Sequence, residues 1–270
     1  MAGSFTLGIA ALLTLLPAAI LPYVKPGLAG RPTGAIFWPL LVTATVGPLA
    51  LDLSVSGGIW RTGFSATLWT IVAATMFVYL AVCVISDAAQ RLSGLVLPYL
   101  VILALIALAW SSVPDRPVSG NLLTVWLQLH IGISLLTYAL VGLSAMAALA
   151  IWVRERALRA HRLAGWSANL PAITDAERLQ IRLLACSEIV LGVGLMTGMA
   201  THLAVSGAIV SLDHKTLLSI LTFVVIGVLL MLHWGSGLRG RRAARIVLLA
   251  FLLITLAFPG VKFVTDVIIG

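Results

Sequence analysis

Five histidines (His130, His161, His202, His214 and His233) and one carboxylate inside an apolar run, Glu188, are the residues of this 270-residue chain best suited to chemistry. Imidazole ligates metals and carries protons near neutral pH. An ionisable group kept within a long apolar stretch is costly, so each is a functional candidate by default. Cys83 and Cys186 sit in apolar runs without CxxC or metal-ligand spacing, which marks both as buried packing residues. Met196 and Met199, three apart, have the spacing to ligate a soft metal, but core packing is the ordinary use of methionine. No phosphate loop, GxGxxG, HExxH or GxSxG motif occurs, which weighs against a hydrolase or a nucleotide-driven pump. No catalytic residue is assigned, and the chain is not expected to be an enzyme.

The elements that must hold these residues follow from composition. The chain is 61% apolar and 10% charged, with a mean hydropathy of +1.12. A soluble domain carries about 25% charged residues. The difference excludes a water-soluble globular enzyme, a disordered tail and a secreted disulfide scaffold. A crossing helix needs about 20 mostly apolar residues. Eight segments qualify: 5–24, 35–51, 66–86, 92–110, 122–153, 182–204, 215–234 and 244–268. The expected fold is therefore an all-α polytopic membrane bundle of eight transmembrane helices, forming a single transmembrane domain over 1–270. The second segment is short and holds Pro39 and Pro48. The first has no basic residue before it and no small-residue cleavage site, so it reads as a retained span.

Charge sets the orientation. Loops after spans one, three, five and seven hold 13 of the 17 lysines and arginines, and the other side holds Arg61, Arg116, Lys215 and Lys262. That bias places both termini outside the cytoplasm. The net charge of +8 then reflects topology; the bilayer is the partner, and nucleic acid is not. In the loop 154–181, Arg154 to Arg162 continue span five as a basic amphipathic stretch. Thr174 and Glu177 have capping-box spacing, so a helix should start there and run into span six.

These spans fix the depth of each candidate. His130 precedes Arg154 by 24 residues, roughly 36 Å of helix, which puts it at the outer boundary. His202 and His214 lie on that side too, where interfacial histidines are common. His233 is 19 residues beyond His214, roughly 28 Å further, at the inner edge, where it could simply snorkel. His161 belongs to the solvated loop. Two imidazoles that share one metal ion on opposite faces have nitrogens only about 4 Å apart. His130 and His233 are therefore too far apart to share a metal, and His130 would need His202 or His214 for that. Glu188 lies roughly 9 Å into span six, at the depth of His233. A Glu188–His233 pair is expected there, as a proton-linked site or as mutual satisfaction of two buried polar groups.

The stretches WLQLHIGISLLTYALVGLSAMAALAIWV (126–153), LPAITDAERLQIR and LDHKTLLSILTFVVIGVLLMLH (212–233), followed by GLRGRRAAR and FPGVKFV, resemble the cytochrome c assembly protein family, in its short HemX/YpjD-like branch. The likeness covers 122–270; residues 1–121 agree only in span number and hydropathy. The resemblance implies a polytopic bacterial inner-membrane protein that binds or presents haem for cytochrome c-type biogenesis, with haem and other assembly or membrane proteins as partners. It implies His130 and His233 as matches to family histidines. Asp213 with Lys215 matches the Asp-Pro-Lys that closes the family's tryptophan-rich outer segment, with His214 in place of the proline. Here that segment reads VSGAIVSLDH, and no tryptophan occurs between Trp166 and Trp234. The aromatic platform for a porphyrin is absent from it, and no histidine follows His233 as a late outer ligand.

The reading that follows is a haem-binding or haem-handling factor, with His130 as principal ligand and His214, His202 and His233 as the further candidates. The alternative is a non-enzymatic membrane partner or regulator of another complex, acting through its basic cytoplasmic loops. A small-solute permease around Glu188 and His233 ranks last, because no inverted repeat or paired broken helices are visible.

Overall fold

Lipid tails are as apolar as leucine, so helices associate in a bilayer mainly through close packing, and small residues favour it. The run ALVGLSAMAALA at 139–150 supplies them. In the computed structural model this run lies in the central helix. The structure describes residues 2–24, 36–56, 63–111, 125–161, 165–206 and 213–268.

The helices are α1 (Ala2–Val24), α2 (Phe37–Ser56), α3 (Phe64–Ile85), the short α4 (Asp87–Gln90) and α5 (Ser93–Ala109). They continue with α6 (Val125–Arg159), α7 (Ile173–Ser206), α8 (His214–Ser236) and α9 (Gly240–Thr255). A 3-10 turn at Gly165–Asn169 precedes α7. Beyond Thr255, α9 carries on through wide π turns at Leu256–Gly260 and Val264–Ile268. Residues 137–148 of α6 are buried without a break, so every face of that stretch is covered. Helices α3, α5, α7 and α9 pack around it, while α1 packs on α2 and α5.

The all-α membrane bundle agrees with expectation, with a difference in count. Among the described residues, seven helices are long and apolar enough to cross a membrane: α1, α2, α3, α6, α7, α8 and α9 with its continuation. The segment expected as an eighth, α5, is an apolar helix of 17 residues. At 1.5 Å per residue it reaches about 25 Å, the short end of what spans a bilayer. The basic stretch after span five is helical to Arg159, and α7 begins at Ile173 beside the capping-box residues. Glu177 does something the spacing does not reveal. Its Oε1 accepts the backbone N–H of Gly240 at 2.8 Å, which ties the start of α7 to the start of α9. A carboxylate at a helix N-terminus is favourably placed against the helix dipole.

Two packing expectations divide. Cys83 is buried, but Cys186 is exposed. Cys186 shares the outward face of α7 with Ile189 and Met196, which are 70% and 71% exposed. In a membrane protein an outward face is as apolar as the core, so an apolar neighbourhood does not distinguish the two.

A half-buried hydroxyl chain centred on Tyr138 joins α5, α6 and α9. Thr255 donates its Oγ1 hydrogen to the carbonyl of Phe251 at 2.7 Å. The Tyr138 hydroxyl lies 3.4 Å from Thr255 Oγ1, and the Tyr99 hydroxyl lies 3.1 Å from that of Tyr138. Each hydroxyl has one hydrogen, so the order must be Tyr99 to Tyr138 to Thr255 to carbonyl. Tyr138→Phe then strands the Tyr99 hydroxyl and is expected to cost about 1–3 kcal/mol. Tyr99→Phe leaves the remaining donors satisfied and costs less. Thermal unfolding in detergent should rank the two in that order, and equal losses would contradict the direction.

Candidate functional site

Along the first turns of α6, polar side chains recur on one face: His130, Ser134, Thr137 and Tyr138. This i, i+4, i+7, i+8 spacing on an apolar helix turns them toward a common neighbour. That neighbour is a cavity of about 480 Å³ between α6, α7, α8 and the wide-turn part of α9. Its size lies within the range of small-molecule sites, about 300–1,000 Å³. Helix α7 contributes Gly194, Gly198, Met199 and His202. Helix α8 contributes Lys215 and Thr216 with the preceding Asp213, and α9 contributes Ile254, Ala257 and Phe258.

His130 is held in a defined state. Its Nδ1 is 3.1 Å from the carbonyl oxygen of Gly194 and 3.3 Å from Thr197 Oγ1. A carbonyl only accepts, so Nδ1 carries the hydrogen and Nε2 keeps its lone pair. That is the tautomer in which a ligating histidine offers Nε2 to a metal. Space for the ring comes from Gly198: a Cβ there would stand 3.0 Å from His130 Cε1. At Gly194 a Cβ would stand 3.2 Å from Ile133, so α6 and α7 meet across a pair of glycines four residues apart. The signal was present in the sequence as GLMTG (194–198), the small-xxx-small spacing that lets membrane helices approach closely.

Of the remaining candidates, the structure brings His202 to this cavity and leaves two elsewhere. His214, the first residue of α8, is exposed and is not part of the lining. His233 lies near the opposite end of α8, with Nδ1 2.9 Å from the carbonyl of Leu238. No hydrogen bond or ion pair joins it to Glu188 among the described residues. Glu188 instead occupies room left by a glycine on α8: its Oε1 is 3.0 Å from where a Cβ on Gly227 would sit. Its Oε2 is buried and has no hydrogen-bond partner among the described residues. His161 is exposed, with a left-handed φ of 50° at the end of α6. Most of the segment 205–214, which stands where the family has its tryptophan-rich stretch, lies outside the described residues.

Asp213 caps α8 by accepting the Thr216 N–H at 2.8 Å. Partial burial pushes its carboxyl up. The hydrogen bonds from the Thr216 amide and hydroxyl, with Lys215 and His202 nearby, outweigh that and hold it below its ordinary value. The cap is therefore charged at neutral pH, and its contribution fades only as pH falls through that lowered value.

Fold and site together define a polytopic helical membrane protein with an imidazole-bearing cavity at one end of its C-terminal helices. Residues 59–269 match the cytochrome c assembly protein family, to which this chain belongs. The match extends well to the N-terminal side of the stretches that carry the resemblance in the sequence. The chain is 46% identical over its full length to the whole of an uncharacterized 28.8 kDa protein in nifR3-like 5'region of Azospirillum brasilense. It is 27% identical to the inner membrane protein YpjD of Escherichia coli K12, across 96% of this chain and 98% of that one. No solved structure matches the chain.

Proposed function

We propose that this protein is a non-catalytic haem-handling factor of cytochrome c assembly in the bacterial inner membrane, with His130 as principal ligand and His202 as its partner. Membership of the cytochrome c assembly family supports a membrane role in cytochrome c biogenesis, and the name of the Escherichia coli relative supports the inner membrane. The observation that carries the haem assignment is the His130 ring, fixed by Gly194 and Thr197 with Nε2 left as a lone-pair donor beside a ligand-sized cavity.

The residues present fit the group. Haem iron takes axial imidazoles, and its porphyrin takes apolar walls. His130 and His202 are the donors, Met199, Phe258 and Ile254 are walls, and Lys215 is a cation for carboxylates. Haem here is cargo, and the chain's own residues bind and orient it. The positive bias of the loops supports a cytoplasmic arginine-rich end, with this cavity on the other side.

The test is the Soret absorbance of the chain purified in detergent, before and after haem is supplied. A chain that stays colourless after haem is supplied overturns the reading. The glycine cradle gives a second measurement. Gly198→Ala pushes on a ring that cannot swing away without losing Gly194 and Thr197. It is expected to weaken haem retention about 10–100-fold, the usual effect of disturbing a ligand's support. Unchanged retention would show that the cradle does not matter.

A further inference from the structure

Glu188 is a carboxyl group that the histidine cavity does not use. It lies on α7 six residues past Arg182, and no other acidic or basic residue follows on that helix before His202. The crossing of α7 and α8 decides where its carboxyl sits. A Cβ on Gly227 would stand 3.0 Å from Glu188 Oε1, and a Cβ on Gly192 would stand 3.3 Å from Phe223 Cε2. Glu188 and Gly192 are one turn apart on α7, and Gly227 and Phe223 are one turn apart on α8 in the opposite chain direction. Each helix therefore offers the other a glycine notch, and one of the two notches receives an acid.

Nothing in that notch compensates a negative charge. Glu188 Oε2 is buried without a hydrogen-bond partner among the described residues. On α8 the titratable residue nearest to Gly227 in sequence is His233, whose Nδ1 is engaged by the Leu238 carbonyl. Between His130 and Arg154, α6 carries only Tyr138, whose hydroxyl is engaged with Thr255. The short α4, which also packs on α7, carries Asp87. None of these groups forms a hydrogen bond or ion pair with Glu188 among the described residues. A carboxylate buried without partners is costly enough that such a group is held neutral instead. Lipid supplies no water to replace the missing donors. The neutral acid is thus the form that fits against Gly227. Once ionised, the side chain must swing toward the outward face of α7, where Cys186 and Ile189 are exposed, and the notch is left empty.

We propose that Glu188 is a membrane-embedded proton-binding site, and that its proton sets how closely α7 and α8 pack. With the proton bound, the carboxyl fills the Gly227 notch and the crossing is closed. Loss of the proton to water expels the carboxylate and loosens the crossing. The same two helices carry His202 and Lys215 to the cavity. The proton site itself needs no haem and is tested without it.

The experiment uses the full chain in neutral detergent. Dicyclohexylcarbodiimide, an apolar reagent that reacts with protonated carboxyls, is added, and the modified residue is located by mass spectrometry. The O–H of the acid adds across one C=N bond, and an acyl shift to nitrogen leaves a stable N-acylurea with no leaving group. Glu188 should be the first carboxyl modified, and its modification should be lost as pH rises through the neutral range. The unfolding temperature is then followed over the same range. A fold that accommodates the neutral form loses stability as pH rises and that form is depleted. The fall should be about 2–4 °C larger in the wild type than in Glu188→Gln, which keeps the neutral shape. Gly227→Ala fills the notch and should respond to pH as Glu188→Gln does. Should Glu188→Gln fail to fold, Gly227→Ala supplies the same comparison. Glu188 left unmodified at every pH, modification indifferent to pH, or a wild-type pH response matched by both variants would overturn the proposal.

Discussion

His130→Ala is expected to abolish the Soret signal of the haem-supplied protein, lowering haem retention by at least about a hundredfold. Disturbing a ligand's support alone costs 10–100-fold, and this change removes the ligand. The substitution is a clean test because little else depends on the ring. Its backbone partner, the Gly194 carbonyl, still accepts the Thr197 hydroxyl at 3.0 Å. The ring lies on a partly exposed turn of α6, well before the buried stretch that begins at Thr137. The unfolding temperature of the haem-free protein should therefore stay close to that of the wild type. Companion variants identify the second ligand. His202→Ala should also lose the signal, whereas His214→Ala and His233→Ala should keep it, since only His202 shares the cavity. An undiminished signal in His130→Ala would refute the ligand assignment.

Gly47→Ala is expected to be the most damaging small substitution in the N-terminal half. A Cβ at Gly47 would overlap Thr14 Oγ1 and stand 2.9 Å from both Thr14 Cβ and Cγ2, so a rotation about Cα–Cβ of Thr14 does not relieve the clash. Threonine is branched at Cβ and stiff, and its hydroxyl already donates to the Ala11 carbonyl at 2.7 Å. Relief must come from separating α1 and α2, which loses the close packing that joins membrane helices. Overpacking of this kind costs typically about 1–3 kcal/mol and occasionally more. Thr14→Ala removes Oγ1 and Cγ2 and should recover part of the loss, so the two substitutions are strongly non-additive. Thermal unfolding of the two single variants and the double variant measures this. Simple additivity would show that the two residues do not meet.

Much of the fold was legible. The long apolar runs, the basic continuation after span five and the start of α7 near Thr174 were all readable from local sequence. Local rules suffice there because a bilayer demands length and apolarity, and charge marks the ends. The site was half legible. His130 stands out as a polar residue in an apolar run, whereas Ser134, Thr137 and Tyr138 join it only once the rotation of α6 toward the cavity is known. The reach of Glu177 to Gly240, 63 residues away, was not visible. Thr174 and Glu177 fit a capping box equally well when the carboxylate serves another helix.

By itself, the sequence determined that this is a helical membrane protein, roughly which segments are long and apolar enough to cross, and which loops carry the positive charge. Those properties depend on hydropathy and charge summed along one segment. The tertiary structure decided how each helix is rotated. Rotation sends Cys186 and Met196 outward, turns Met199 and His202 to the cavity, leaves His214 outside it, and sets Glu188 against Gly227. The physical reason is that lipid and protein interior are equally apolar, so hydrophobic periodicity does not say which face is which. Close packing at glycines and a few polar contacts do, and those depend on residues far apart in the chain.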